Sequence, residues 1–249
     1  MAKQHHIQLE YGDVGEYVLL AGDPGRIPKI AQHFTNPELV ADNRGYVSYR
    51  GELAGVRVGA VTQGIGAPSA AIVVEELIKS GVKTIIRVGT SGGISTQVEP
   101  GDLVVPIAAV RHEGLTSSYL PLSFPAVADP WLTLTLAEAL TENGYRCHVG
   151  LIETKDSFYG QVEAETMPLR ADLNNRWALM TETGVLATEM ECSALFVIGT
   201  VRRIRTGAIV KVMINDNITP GREVSGEDDL VEAAVTALKR VIEKDRAAK

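Results

Sequence analysis

The stretch YVLLAGDPGR at residues 17–26 decides the fold class, because an apolar run of strand length passes directly into a glycine turn. Residues 17–21 form a short and almost wholly apolar run, as expected of a strand that is covered on both faces. A helix pattern with Ile27, Ile30 and Ala31 follows the turn at once. A strand, a turn and a helix in this order predict an α/β protein.

The same alternation continues along the chain. Further strands are predicted at Val56–Thr62, Thr84–Val88, Asp102–Val110, His148–Glu153 and Ala208–Ile214. Further helices are predicted from Pro68 to a stop at Gly81, and over Pro130–Glu142, Met190–Arg203 and Asp228–Lys244. No linker, repeat or low-complexity segment interrupts the pattern. We therefore expect residues 1–249 to form a single α/β domain around a largely parallel or mixed sheet.

Composition narrows the possible functions. The 249 residues are 45% hydrophobic and 22% charged, which is ordinary globular usage. A net charge of −7 argues against a cationic face for nucleic acid. No run approaches the ~18 apolar residues of a membrane span, and the N-terminus lacks the apolar stretch of a secretory signal. Cys147 and Cys192 offer no disulfide framework or metal-ligand spacing, so we expect a cytoplasmic protein without a metal.

Two glycine-rich segments after strands suggest an anion site. In the first, residues 22–26, backbone N–H groups and a helix N-terminus favour an anion, and Arg26 can add a charge-assisted fork. The second, residues 89–93, is interpreted as a turn after the strand that carries Arg87, whose burial requires an acid or an anion. By themselves, a tight βα turn and a structural salt bridge explain the two segments as well. Neither matches the P-loop pattern, and no complete G-x-G-x-x-G opens a helix.

Four segments, in this order and spacing, resemble the nucleoside phosphorylase family, which includes uridine phosphorylases and hexameric purine nucleoside phosphorylases. They are GDPGR at 22–26, GIGAPS at 64–69 with EEL at 75–77, IRVGTSG at 86–92 and EMECSAL at 189–195. The resemblance covers nearly the whole chain. It implies a single-domain nucleoside phosphorylase fold, α/β with a mixed, partly barrel-like sheet flanked by helices. It also implies a homohexamer, a trimer of dimers with sites shared between subunits.

The resemblance further implies which residues form the site. The phosphate-binding residues would be Gly22, Arg26, Arg44, Arg87 and Thr90. The ribose-binding residues would be His6, Thr90, Glu189, Met190 and Glu191. Arg44 and His6 would come from a neighbouring subunit, and Glu191 would hold the 2′ and 3′ hydroxyls. Without the resemblance, Glu191 could simply complement a helix dipole, and His6 would be a solvated histidine.

The segment KDSFYGQ at 155–161 resembles the base-binding loop of a bacterial branch of uridine phosphorylases. Phe158 would stack on the base and Gln161 would pair with a uracil edge, with Met213, Ile214 and Asp216 completing the pocket. The arginine that usually follows the glutamine is absent from residues 162–167. Asp216 stands where a second arginine is expected, and it loosely matches the acid of purine phosphorylases. Uridine is thus the favoured substrate, with purine nucleosides as the alternative.

The implied reaction is phosphorolysis of uridine to uracil and ribose 1-phosphate through an oxocarbenium-like sugar. Inorganic phosphate is a co-substrate, and no cofactor or metal is required. Arg87, Glu191 and Gln161 would be the catalytic residues, orienting phosphate, sugar and base. A nucleosidase of the same fold needs no phosphate arginines, and a non-catalytic nucleoside-binding protein needs no carboxylate at position 191. The residues present argue against both alternatives.

Overall fold

The strands of the chain lie in one ten-stranded sheet in a computed structural model that describes residues 3–248. The strands are β1 Tyr17–Ala21, β2 Thr35–Asn43, β3 Tyr46–Leu53, β4 Val56–Thr62, β5 Thr84–Gly93, β6 Leu103–His112, β7 Ala126–Val127, β8 Cys147–Lys155, β9 Ala187–Glu189 and β10 Arg205–Ile214. The α-helices within the described residues are α1 Arg26–Ala31, α2 Ala67–Lys79, α3 Pro130–Glu142, α4 Tyr159–Val162, α5 Arg170–Glu182, α6 Cys192–Arg202 and α7 Asp228–Ala247.

The sheet is mixed and partly closed. Its order is β10-β6-β8-β9-β5-β1-β4-β3-β2, with β7 beside β6. Because β10 also pairs with β5, the strands β10, β6, β8, β9 and β5 close into a ring. The pairs β1–β4, β1–β5 and β5–β10 are parallel, whereas β2–β3, β3–β4 and β5–β9 are antiparallel. The predicted mixed, partly barrel-like sheet is confirmed.

Helices cover both faces of the central strands. Along β1, Val18 and Leu20 pack into the core on one side, whereas Leu19 and Ala21 pack into the core on the other. Helices α2 and α6 pack together, and so do α3 and α7. Alternate side chains of a strand point to opposite faces, so an apolar run such as 17–21 is stable only between two helical layers. Each fully buried aliphatic side chain there contributes about 1.5–3 kcal/mol.

The structure confirms several predicted bounds and corrects others. Strands β1 and β4 and helix α3 begin and end where the sequence predicts. The turn predicted at residues 89–93 is wrong, because β5 continues through Gly93 and pairs there with β10 and β9. These residues stay extended because the ring closes around them. A Cβ on Gly93 would lie 2.5 Å from Nδ2 of Asn215, so glycine permits this close approach.

Two further differences come from elements with weak local patterns. The sequence does not predict the hairpin of β2 and β3, because most residues of β2 are exposed and buried and exposed positions do not alternate along it. The helix predicted from Met190 begins at Cys192, after an N-cap at Glu191. None of the helices within residues 3–248 combines the length and apolarity needed to cross a lipid bilayer.

Candidate active site

A cavity of about 1090 Å³ opens at the carboxyl ends of β1, β5 and β10. Its walls come from the turn after β1, the end of β5, the β9–α6 junction, the loop after β8 and the connection from β10 to α7. Ligands of open α/β sheets bind outside the carboxyl ends of parallel strands, where loops diverge. The cavity is therefore the candidate site. Of the residues predicted for the site, those that line it are Gly22, Arg26, Arg87, Thr90, Phe158, Gln161, Glu189, Met190, Glu191, Met213, Ile214 and Asp216.

Arg26 forms one corner of the cavity together with Gly22 and Thr90. It is the first residue of α1 and is almost fully buried, so its charge requires partners. Its Nη1 donates to the carbonyl oxygen of Val88 at 2.8 Å. Its Nε donates to Oε2 of Glu227 at 2.8 Å, and its Nη2 donates to Oε1 of the same carboxylate. The guanidinium is thereby fixed at the wall.

Arg87 lines the cavity and lies between two carboxylates. Its Nε donates to Oε2 of Glu189 at 2.9 Å, and its Nη2 lies 2.5 Å from Oε2 of Glu191. Burial alone would lower the pKa of Arg87, but the charges of Glu191 and Glu189 raise it above the usual arginine value. The sequence predicts that buried Arg87 needs an acid or an anion as its partner. Glu189 and Glu191 are the acids that pair with it.

Glu189 is held from several directions at the end of β9. Its Oε1 accepts a hydrogen bond from Oγ1 of Thr154 at 2.6 Å. Its Oε2 accepts from the backbone N–H groups of Glu191 at 2.8 Å and Cys192 at 3.0 Å, at the start of α6. A carboxylate at a helix N-terminus satisfies free N–H groups and complements the dipole. Glu189 thus orients Arg87, and its predicted contact with ribose stays a prediction.

Glu191 joins the glycine segment at 64–66 to the arginine. Its Oε1 accepts from the backbone N–H of Gly66 at 2.6 Å, and its Oε2 faces Arg87. Gly66 has φ 86° and ψ 157°, a conformation that is essentially restricted to glycine. Burial raises the pKa of Glu191, and the neighbouring Arg87 opposes that rise. The local motif therefore aims a buried carboxylate into the cavity.

Another part of the lining carries the aromatic and amide side chains of the segment 155–161. Phe158 and Tyr159 are exposed and meet edge to face, with ring centroids 5.4 Å apart. Gln161 lies in α4, and its Oε1 is 3.5 Å from Oγ1 of Thr188. An amide whose oxygen faces the protein can direct its NH₂ group toward a ligand acceptor. Phe158 and Gln161 are thus available to a flat, polar ring.

Lys155 is a site residue that the sequence analysis missed. It ends β8, lines the cavity, and its Nζ donates to Oγ1 of Thr188 at 2.9 Å. Burial lowers its pKa to about 8, although Glu153 and Glu189 act in the opposite direction. The available signal was that Lys155 is the first residue of the resembling loop at 155–161. The resemblance instead predicted an arginine after Gln161 as the cation for the base.

The third wall comes from the end of β10 and the connection that follows it. Met213 and Ile214 supply apolar surface there. Oδ1 of Asp216 accepts from the backbone N–H of Gly221 at 2.8 Å, which holds the connection in a turn. Asn215 is fully buried and donates to the carbonyl oxygens of Ser95 and Val98. Asp216 therefore has a structural contact as well as a position at the cavity.

His6 and Arg44 lie outside this cavity but close to each other on the surface. Nδ1 of His6 is 2.6 Å from Oε1 of Glu76, and the backbone N–H of His6 donates to the same carboxylate. The side chain of Asn43 donates to the carbonyl oxygen of His6 at 2.6 Å. Arg44 follows Asn43 at the tip of the β2–β3 hairpin, with φ 56°. Their contribution to a neighbouring site stays a prediction.

Comparison with known proteins places the chain among characterised sequences. A family model described as the phosphorylase superfamily matches residues 16–244. A uridine phosphorylase of Treponema pallidum is 43% identical over 250 residues, with 97% of this chain and 95% of that protein covered. A uridine phosphorylase of Escherichia coli is 33% identical, with 97% and 96% covered. A guanosine phosphorylase of Halorubrum lacusprofundi is 36% identical, also with 97% and 96% covered.

Proposed function

Because this chain belongs to the phosphorylase superfamily, we propose that it is a pentosyltransferase that converts uridine and phosphate to uracil and ribose 1-phosphate. One observation carries the proposal. A corner with Arg26 and Arg87 and a wall with Phe158 and Gln161 face the same cavity. An anion site and a site for a polar ring in one cavity fit a nucleophilic phosphate and a leaving base.

The phosphate would bind at the turn after β1 and beside β5. Gly22 allows its backbone to approach the ligand, and Arg26 and Arg87, which line the cavity with Thr90, supply positive charge. Carboxylates pair with both arginines in the structure. A dianion that enters the corner replaces part of that compensation. The reaction we propose therefore uses no metal or organic cofactor, since side chains supply the charge.

Glu191 would act on the sugar. When the bond between the anomeric carbon and the base nitrogen breaks, its electron pair leaves with the base and positive charge develops on the ribose. A carboxylate fixed by Gly66 and Arg87 binds the ribose hydroxyls and stabilises that charge without reorganising. Phosphate oxygen then forms the new bond at the anomeric carbon. Position and electrostatics therefore carry the catalysis.

Lys155 would stabilise the leaving pyrimidine. The base departs with negative charge spread over its ring and carbonyl oxygens, and the usual arginine after the glutamine is absent. The ammonium of Lys155 shares Thr188 with Gln161, so a base that pairs with Gln161 lies near a cation. Within residues 3–248, no carboxylate lies within 4.0 Å of this ammonium. An anionic base would neutralise the positive charge of the Lys155 ammonium.

The proposal is tested by incubating the protein with uridine, with and without phosphate, and measuring uracil and ribose 1-phosphate. We expect uracil and ribose 1-phosphate to be released only when phosphate is present. With arsenate in place of phosphate, we expect release of uracil alone. Equal uracil release in phosphate-free buffer would identify a nucleosidase. Uridine binding without any product would identify a non-catalytic protein.

Replacing Lys155 by methionine should lower kcat/KM for uridine by roughly ten- to a hundred-fold, since a charge-assisted contact contributes about 1.5–3 kcal/mol. In the parent protein the cation is present below pH 8 and is lost as the pH rises through its pKa of about 8. The parent should therefore lose activity above pH 8 relative to Lys155→Met. Lys244→Met, an exposed lysine on α7, is the matched control. Parallel pH profiles in parent and variant would contradict the role.

Replacing Gln161 by alanine should lower kcat/KM for uridine by roughly ten-fold or more, while the KM for phosphate changes little. A site that reads a polar base edge loses discrimination when its amide is removed. Specificity constants for uridine, thymidine, inosine and adenosine are compared in parent and variant. Faster cleavage of uridine by Gln161→Ala than by the parent would refute the assignment.

Cleavage of purine nucleosides is the second candidate function. Asp216 lines the cavity, and the similar protein of Halorubrum lacusprofundi is named a guanosine phosphorylase. The purine function is adopted if guanosine, inosine or adenosine is cleaved tens of times faster than uridine and Asp216→Asn abolishes that activity. The contact of Asp216 with Gly221 favours a structural role instead.

We also propose a cytoplasmic homohexamer, a trimer of dimers, that acts in pyrimidine salvage. The hydrogen bond from Asn43 to His6 supports shared sites, because it sets His6 beside the hairpin tip that carries Arg44. One surface region can thus present both side chains to a neighbouring subunit's cavity. His6 would meet the 5′ hydroxyl there, and Arg44 would meet the phosphate.

A further inference from the structure

The carboxylate of Glu227 forms an ion pair with Arg26 in the part of the cavity where phosphate would bind. Nε and Nη2 of Arg26 donate to the two oxygens of Glu227, so the groups meet fork to fork. Both residues line the cavity together with Gly22 and Thr90. The same edge of a guanidinium binds two oxygens of a phosphate in the same way. Carboxylate and phosphate therefore compete for one set of N–H donors.

Glu227 is held less firmly than the carboxylates that pair with Arg87. The side chains of Glu189 and Glu191 are 1% and 5% exposed, and each also accepts hydrogen bonds from backbone N–H groups. The side chain of Glu227 is 23% exposed. Among the described residues, Arg26 is the only hydrogen-bond partner of its carboxylate. Of the three acids that pair with Arg26 and Arg87, Glu227 is the one that an incoming anion can displace.

The backbone beside Glu227 is anchored independently of Arg26. Nζ of Lys211 donates to both carboxylate oxygens of Asp229 at 2.7 Å and to the carbonyl oxygen of Gly226 at 3.2 Å. These contacts fix the start of α7 on β10. Displacement of Glu227 therefore requires rotation of its side chain toward solvent between staggered rotamers, without movement of the backbone.

We propose that Glu227 is a built-in competitor of phosphate, which neutralises Arg26 in the empty site and leaves when phosphate binds. This inference rests on the phosphate site proposed above. Without Glu227, the empty site would hold a buried arginine with no counter-charge, which is costly. With Glu227 in place beside a phosphate dianion, like charges would repel. The residue therefore stabilises the empty protein and weakens its affinity for phosphate.

The test is calorimetric titration of inorganic phosphate, without nucleoside, into the parent, Glu227→Gln and Asp228→Asn. Glu227→Gln should bind phosphate roughly ten-fold more tightly, the ratio that about 1.4 kcal/mol gives. Asp228→Asn removes the same charge from the adjacent position but faces Lys29 on the surface, so its affinity should equal that of the parent. The phosphate-induced increase in melting temperature adds a readout that a purely structural role would not move. Glu227→Gln should melt lower without phosphate and gain more from phosphate than the parent does.

Unchanged or weaker phosphate affinity in Glu227→Gln overturns the inference, and weaker affinity would mean that Glu227 orients Arg26 for phosphate. A lower melting temperature with an unchanged phosphate-induced increase overturns it as well. The proposed function is tested separately by uridine cleavage. If the parent requires phosphate for cleavage while Glu227→Gln binds phosphate like the parent, only this inference fails. If the parent binds no phosphate and Glu227→Gln binds none either, the proposed function fails with it.

Discussion

Replacing Arg87 by alanine is expected to lower kcat/KM for phosphate by roughly a hundred- to a thousand-fold, which corresponds to about 3–4 kcal/mol. The guanidinium is buried between Glu189 and Glu191 at the proposed phosphate corner. Its removal deletes a contact with phosphate and leaves two buried carboxylates without their cation. Those carboxylates then repel the incoming dianion. The effect should therefore exceed that of a single lost hydrogen bond.

Phosphate-dependent uracil release, measured as a function of phosphate concentration, checks this expectation. Arg240→Ala, which removes a half-buried arginine of α7 that faces Glu142 at the end of α3, is the matched control and should retain parental kinetics. Because Arg87→Ala leaves two buried acids unpaired and can therefore prevent folding, Arg87→Lys is measured beside it, with thermal unfolding for each. Lysine keeps the charge but cannot contact both acids in a fork, so an intermediate loss is expected. Parental activity in a folded Arg87→Ala protein would remove Arg87 from the phosphate site.

Replacing Glu191 by glutamine is expected to lower kcat for uridine by roughly a hundred- to a thousand-fold, with a small change in the KM for phosphate. The amide has the size of the carboxylate and can still accept from the N–H of Gly66. It removes the negative charge that would stabilise the developing positive charge on ribose. It also presents an uncharged group to Arg87, so part of the ion pair is lost. The loss should appear in turnover because the charge on the sugar develops in the transition state.

The alternative role of Glu191, a charge at the start of α6, predicts a different result. In that case Glu191→Gln would lower the melting temperature and leave kcat unchanged. Asp129→Asn is the matched control, because Asp129 caps α3 and its side chain accepts from the backbone N–H of Leu132 at 2.8 Å. The loss of that cap costs about 1 kcal/mol of stability and should spare turnover. A kcat in Glu191→Gln that matches the control would assign Glu191 to stability alone.

The sequence by itself determined the alternation of elements. Three elements have their predicted bounds, namely the strands at 17–21 and 56–62 and the helix at 130–142. Burial on both faces gives the strands a strong local pattern, and Asp129 followed by Pro130 marks the start of the helix. The resemblance of four segments to nucleoside phosphorylases indicated the family, and the match of the phosphorylase superfamily model confirms the family. The predicted residues of the phosphate, ribose and base sites lie around one cavity, apart from His6 and Arg44.

Only the tertiary structure decided where the charges meet. The segment 89–93 is a strand and not a turn, because β10 and β9 pair with it from distant parts of the chain. The partner of Arg26 is Glu227, about two hundred residues away, and Lys155 joins Gln161 only through Thr188. Local patterns report propensity and burial, which act over a few residues. Ion pairs and ring closure depend on contacts between distant segments, so their partners are fixed only when the sheet closes.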